Sequence, residues 1–154
     1  MSSPLLEIET IFAALQNGIV KSHEHRDKSL VLIVGCEFLA GVIEKGKSNF
    51  EVEIHNIKKF GFEPWTRENV DASGTLVSPE EIFCTEMEIF DAEKSKGHTK
   101  VYLRHEDEAV DHIGGILKLT GDQVDVRIQN GESITPDALK LASDKYWKEQ
   151  ENQE

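Results

Sequence analysis

The sequence predicts an α+β fold, in which an antiparallel β-sheet or small barrel is flanked by an N-terminal and a C-terminal helix. A capping residue precedes proline at Ser3-Pro4 and at Thr135-Pro136, and apolar residues at helical spacing follow each pair. Between these helices lie short runs of alternating apolar and polar residues, separated by turns that contain glycine. At 154 residues, 38% of them hydrophobic, the chain is expected to form one compact domain, 1–154. Its two similar β units would be 3–77 and 78–148, and 149–154 a frayed tail.

The first half is interpreted as a helix followed by three strands. The helix is expected to end at Asn17-Gly18, and the polar segment 19–28 to be a connection. The strands are predicted at 30–34, 37–44 and 50–56. In the last of these, Phe50 and its alternate neighbours face one side, which is the pattern of a half-buried strand. The segment 57–77 is expected to be a long loop.

The second half begins at Ser78-Pro79, which predicts one short helical turn. The segments 84–90 and 99–104 alternate and are interpreted as the two strands of a hairpin. A competing interpretation is a single helix over 78–96, because its apolar residues also fit one helical face. An acidic loop at 105–111 then precedes two strands and the final helix, with strands predicted at 113–119 and 124–129.

The stretch 39–56 resembles 113–130 when the two are aligned without a gap. Four positions are identical: Gly41 and Gly115, Val52 and Val126, Ile54 and Ile128, and Asn56 and Asn130. A true duplication would make these stretches two equivalent hairpins, each with a glycine in its first strand. Alternation alone also produces much of this match, so both explanations remain open.

The predicted elements follow one another as a helix, a buried strand, a glycine-containing strand and an alternating strand. The residues that show this order of strands are LVLIVGCEFLAGVIE and FEVEIHN. It resembles the beginning of an Sm-like small β-barrel, over about thirty residues of the chain. The Arg-Gly pair expected near the last strands of such barrels is absent, and the loop after Asn56 is longer. That family holds RNA with basic and aromatic loop residues. Because this chain is acidic, the resemblance implies protein binding instead.

The formal net charge is −12, from 29 acidic and 17 basic residues. A field of this sign repels nucleic-acid phosphates and anionic lipids, so neither nucleic acid nor a membrane is an expected partner. It favours a basic protein partner, although a charge that serves solubility alone explains the composition equally well.

The two cysteines, Cys36 and Cys84, lie in apolar runs without metal-ligand or redox spacing. This indicates buried, reduced thiols and a reducing compartment. The sequence contains neither a basic-apolar leader nor a long apolar segment. We therefore expect a cytoplasmic protein.

Two groups of residues are candidates for binding a protein partner. Acidic side chains on alternating strands would line an outer sheet face, and the acidic run 106–108 adds to them. An aromatic group in the loop after residue 57 would either contact the partner or pin that loop to the core. The candidate residues are Glu51, Glu53, Glu86, Glu88, Phe60, Phe62 and Trp65.

The histidines suggest a different chemistry. Two of them lie two residues apart in 19–28, and two flank the acidic loop, so imidazole and carboxylate ligands for zinc could assemble. Solvated polar loops are the competing explanation. The candidate metal ligands are His23, His25, His105 and His112.

No nucleophile elbow, phosphate-binding loop or dinucleotide fingerprint occurs, so we expect neither an enzyme nor a bound cofactor. The sequence favours a non-enzymatic, acidic binding protein of inhibitor, immunity or adaptor type that engages a basic protein. One alternative is a small metal-binding protein or metal-dependent hydrolase that uses the four histidines. The other is a structural or assembly subunit that forms homo-oligomers.

Overall fold

The computed structural model describes residues 4–66, 75–110, 112–129 and 131–151. These residues form four helices and nine strands. In chain order they are α1 (Pro4–Ala14), β1 (Ile19–Arg26), β2 (Ser29–Gly35), α2 (Glu37–Ile43), β3 (Asn49–His55), β4 (Lys59–Thr66), α3 (Pro79–Ile82), β5 (Met87–Ser95), β6 (His98–Arg104), β7 (His112–Thr120), β8 (Gln123–Ile128), β9 (Ser133–Ile134) and α4 (Pro136–Glu151).

The nine described strands form one antiparallel sheet in the order β4-β7-β6-β5-β1-β2-β3-β8-β9. The predicted α+β class with terminal helices is therefore confirmed. Within the described part of the chain, β4 and β9 are the edges and do not pair, so the sheet is open and not a barrel. Strand β4, from the first half of the chain, lies beside β7 from the second, so the sheet does not divide at residue 77.

Helix α1 lies on the inner face of the sheet and forms the centre of the core. Ile8, Ile11, Phe12 and Leu15 on its apolar stripe are at most 1% exposed. The helix contacts β5, β6 and β7 in one half of the strand order and β8 in the other half. It also contacts α4. Because these strands lie far apart in the strand order, the sheet must curve around α1. None of the described helices is long and apolar enough to cross a membrane.

Both terminal helices have the ends that the sequence predicts. After α1, Asn17 adopts a positive φ of 73° and Gly18 follows it. At the start of α4, the backbone N–H of Ala138 donates to Oγ1 of Thr135 over 3.1 Å. The predicted hairpin after α3 is present as β5 and β6, and the competing single helix over 78–96 is wrong.

The predicted strand at 37–44 is wrong, because this segment forms α2. The carbonyl oxygen of Cys36 accepts hydrogen bonds from the N–H groups of Leu39 and Ala40, which begins the helix. The ring of Phe38 packs on Tyr146, with centroids 4.7 Å apart, and on Trp147 of α4. Helix α4, about a hundred residues later in the chain, thus stabilises α2. The local alternation of apolar residues in 37–44 does not reveal this contact.

Two segments predicted to lack regular structure are strands. Segment 19–28 contains β1. Its positions opposite Leu32 and Leu30 carry His23 and His25 instead of apolar residues, so the alternation that predicts a strand is missing. Segment 57–77 contains β4, where Pro64 breaks the sequence pattern. Proline is tolerated there because β4 is an edge strand.

The two similar stretches do not form equivalent hairpins. Gly41 lies in α2, whereas Gly115 lies in β7, so the predicted equivalence of these glycines is wrong. Their second halves, β3 and β8, are neighbours and pair antiparallel around Val52 and Val126. The two segments that are similar in sequence, β3 and β8, are therefore paired with each other about a local two-fold axis.

Candidate partner-binding cleft

A cleft of about 870 Å³ opens on the outer face of the sheet, opposite α1. Its walls come from the starts of β1, β5 and β7, the end of β6 and the acidic segment after β6. Four carboxylates and two isoleucines dominate its lining: Glu86, Glu88, Glu106, Asp107, Ile19 and Ile113. Arg104 and His105 are the basic groups in this lining.

The strand register explains why these side chains meet. Ile19 pairs with Glu88, and Glu88 pairs with Arg104, so the three form one row across β1, β5 and β6. Opposed residues of an antiparallel pair lie on the same face, and this face is the outer one because Met87 and Ile89 point inward. Ile19 and Ile113 are 39% and 42% exposed, so apolar surface is open to solvent within an acidic rim.

Arg104 does not neutralise the whole cleft. Its Nε and Nη2 both lie 2.6 Å from Oε1 of Glu88, and its guanidinium lies 5.1 Å from the centroid of the Phe90 ring. Among the described residues, no basic group forms an ion pair with Glu86 or Glu106. The cleft therefore keeps a negative potential suited to a cation.

Two of the predicted metal ligands anchor the acidic wall of the cleft. Nδ1 of His105 accepts the backbone N–H of Asp107 over 3.0 Å, so the proton of that ring is on Nε2. This Nε2 lies 3.1 Å from Nδ1 of His112 and donates to it, and the N–H of Gly114 also donates to that Nδ1. His112 is only 6% exposed and packs on the ring of Phe62. A metal ion at these lone pairs would have to displace the hydrogen bonds that hold the acidic segment to β7.

His23 and His25 lie on one face of β1, at their predicted spacing. The ring of His23 packs on Phe83, and its Nε2 lies 3.8 Å from Glu80. Across the described ranges, no three His, Cys, Asp or Glu side chains gather in a group that could hold a metal ion. The metal-binding alternative thus stays a prediction, and Asp111 of the acidic loop lies outside the described residues.

Glu51 and Glu53 lie on the outer face of β3, as their alternation predicts, but Arg127 of β8 pairs with both. Nε of Arg127 is 2.7 Å from Oε2 of Glu51, and Nη2 is 3.2 Å from Oε1 of Glu53. The two glutamate side chains are only 16% and 15% exposed. Unlike Glu86 and Glu106, these two carboxylates share an arginine partner within the protein.

The three aromatic residues proposed as one group separate. Phe62 is fully buried and Phe60 packs against the core, both on the inner face. Trp65 lies on the outer face and contacts Phe90 and Tyr102. The inner pair acts as core, and Trp65 alone remains a candidate for contact with a partner.

Sequence reasoning did not select Ile19, Ile113 or Arg104 for the site. An exposed isoleucine in a strand looks like a core residue until the pairing shows which face it occupies. The acidic run 106–108 is visible in the sequence, and the structure places Glu106 and Asp107 in the cleft beside Glu86 and Glu88.

No protein family, curated protein or solved structure matches this chain.

Proposed function

We propose that this protein is a non-enzymatic binding protein whose outer-face cleft takes a basic segment of a partner protein. One observation carries the proposal. The cleft combines four carboxylates with two exposed isoleucines, and its arginine is already paired with Glu88. Such a surface complements a segment in which lysine or arginine alternates with apolar residues.

The charge of the whole chain supports this assignment. At −12, the protein attracts a basic partner over distances of about one Debye length, roughly 10 Å at 0.1 M salt. The isoleucines contribute apolar contact, which salt does not screen. An inhibitor, immunity protein or adaptor that works in the cytoplasm on a basic protein fits both properties.

The proposal is tested with a fluorescent peptide of alternating arginine and leucine, whose binding is followed by anisotropy. We expect saturable binding at 50 mM salt that weakens at least tenfold at 500 mM, because salt screens the attraction between the arginines of the peptide and the carboxylates of the cleft. A peptide of alternating glutamate and leucine should not bind.

A pair of charge-matched variants locates the site. The double variant Glu86→Gln/Glu106→Gln should weaken binding of the arginine peptide about tenfold, equal to about 1.4 kcal/mol. Glu149→Gln/Glu151→Gln, which changes two exposed carboxylates on α4, should leave binding within about twofold. Equal weakening by both double variants would show that net charge alone attracts the peptide, and the cleft would lose its role.

A further inference from the structure

Beside the cleft, the outer face carries three aromatic side chains in mutual contact, those of Trp65, Phe90 and Tyr102. Their ring centroids are 5.7 to 6.4 Å apart, so the rings form a compact triangle. We refer to these three rings as the aromatic cluster. All three side chains are only partly buried, and they lie on the face of the sheet opposite α1. The cluster therefore presents aromatic surface to solvent.

The strand register places the aromatic cluster one row away from the cleft. Tyr102 and Arg104 are consecutive outer-face residues of β6, so the aromatic row lies roughly 7 Å from the row that contains the pair of Arg104 and Glu88. Glu106 follows Arg104 in the chain and Glu86 precedes Glu88, so both carboxylates lie on the other side of that pair. The outer face thus has aromatic rings on one side of an internal ion pair and unpaired carboxylates on the other.

Trp65 connects the cluster to the wall of the cleft. It lies where β4 and β7 change register, so that one residue of β4 faces two residues of β7, Ile113 and Gly114. Ile113 lines the cleft, and Gly114 pairs with Arg104 of β6. Because glycine has no side chain, none stands between Trp65 and Arg104 across β7. A partner segment in the cleft can therefore reach the indole.

The protein already holds one guanidinium on this surface. The guanidinium of Arg104 lies 5.1 Å from the centroid of the Phe90 ring while it pairs with Glu88. A guanidinium is planar and weakly hydrated, so it can stack on a ring and still donate to a carboxylate, whereas an ammonium is compact and strongly hydrated. Among the described residues, Arg104 is the one cation that lies over an aromatic ring. The indole of Trp65, the aromatic group that attracts cations most strongly, is thus left for a cation from outside.

The charge around the cluster also favours a cation. Asp91 lies opposite Tyr102 and is exposed, and no basic side chain in the described part of the chain forms an ion pair with it. The hydroxyl of Tyr102 donates to Oε1 of Glu93 over 2.8 Å. This hydrogen bond raises the pKa of Tyr102, and burial and the charges of Glu93 and Asp91 add to the rise. The lysines at 100 and 118 do not reverse this sign, because each faces a glutamate on the neighbouring strand.

We propose that the partner segment carries arginine and that Trp65 selects arginine over lysine, with one guanidinium stacked on the indole while other basic groups meet the carboxylates of the cleft. This inference rests on the proposed function, because it specifies the basic residue that the partner must carry. Residues two apart in an extended segment lie roughly 7 Å apart, which equals the spacing of the rows on the outer face. One short segment therefore reaches both the cluster and the cleft. Trp65 distinguishes two cations of equal charge, which net charge alone cannot do.

Two peptides of equal length and charge test the selection, one of alternating arginine and leucine and one of alternating lysine and leucine. By fluorescence anisotropy in about 50 mM salt, we expect the arginine peptide to bind at least about fivefold more tightly. Trp65→Leu should weaken binding of the arginine peptide to about the level of the lysine peptide. Trp65→Tyr, which keeps an aromatic face, should retain most of the preference. Circular dichroism and continued binding of the lysine peptide show that the variants are folded.

Tryptophan fluorescence locates the contact. The chain has two tryptophans, and Trp147 lies on α4, where it packs on Phe38. Trp147→Phe is therefore a matched control that should keep the full preference for arginine. In this variant the emission of Trp65 should change when the arginine peptide saturates the protein. In Trp65→Tyr, which retains Trp147, the emission should stay the same.

The outcomes separate this inference from the proposed function. Equal affinity of the wild-type protein for the two peptides would overturn the selection of arginine and leave the basic-segment cleft standing. A preference that survives Trp65→Leu, or an emission of Trp65 that does not respond to bound peptide, would also overturn it. Failure of both peptides to bind would remove the proposed function and this inference together.

Discussion

Replacing Gly41 and Gly115 by alanine distinguishes the observed fold from a pair of equivalent hairpins. Gly41 is exposed in α2, and the nearest atom to an added Cβ is the carbonyl oxygen of Lys47 at 3.9 Å. Alanine is favoured over glycine in a helix by about 0.5–1 kcal/mol. We therefore expect Gly41→Ala to stabilise the protein by about that amount.

Gly115 has no such space. A Cβ there would clash with the carbonyl oxygen of Glu63 and lie 2.8 Å from Cζ of Phe62 and 2.9 Å from Cα of Pro64. Carbon atoms in contact are normally about 3.5–4.0 Å apart, so β4 would have to move by about 1 Å. Overpacking of this kind costs about 1–3 kcal/mol, and we expect Gly115→Ala to lie at the upper end because two of the atoms belong to backbone.

Thermal and urea unfolding followed by circular dichroism measure both effects. At about 2–4 °C per kcal/mol for a chain of this length, Gly41→Ala should raise Tm by about 2 °C and Gly115→Ala should lower it by about 6–12 °C. Opposite signs would agree with a helix at Gly41 and a close strand contact at Gly115. Similar destabilisation by both substitutions would refute the assignment of α2.

Three further measurements address other parts of the structure. Arg127→Met removes the ion-pair partner of the mostly buried Glu51 and leaves Glu53 with His55 alone, so it should cost about 1–2 kcal/mol in urea unfolding. Lys140→Met, which breaks an exposed helical pair, should cost less than about 0.5 kcal/mol. Cys36 is buried as its apolar run predicts, and burial raises its pKa to about 12, but the same prediction is wrong for Cys84, which is exposed. A thiol reagent should therefore modify one cysteine rapidly in the native protein and two in denaturant, and two fast thiols would contradict the burial of Cys36. Burial lowers the pKa of His98 below its ordinary value of 6.5. Below about pH 6.5 the unfolded chain therefore binds a proton that the folded chain does not. The free energy of unfolding should decrease as the pH is lowered from there, until the pH passes below the pKa of His98 in the folded protein. An NMR titration of His98 checks that pKa, and His98→Gln should make the fall in stability shallower.

Much of the secondary structure could be predicted because its causes are local. Capping residues and helical spacing identified α1 and α4, and alternation identified β3 and β8. The pairing of strands could not be predicted, since alternation shows that a strand has a buried face but not which strand lies beside it. Arg127 illustrates this for the candidate site: its pairing with Glu51 and Glu53 depends on the adjacency of β3 and β8.

The same reasoning explains which parts of the cleft were predicted. Glu86 and Glu88 were selected because they alternate with apolar residues in one local run. Ile19 and Arg104 belong to the site only because β1 and β6 flank β5.

The position of α1 has a consequence for how this protein folds during synthesis. The apolar stripe of α1 leaves the ribosome before the strands that cover it, among them β5, β6 and β8, the last of which begins at residue 123. Loop closure over such separations is slow compared with helix formation, so the helix would wait with its stripe open to solvent. A nascent chain that has not yet reached β8 should therefore be a substrate for chaperones that bind apolar helices, and chains truncated before residue 123 should aggregate rather than fold.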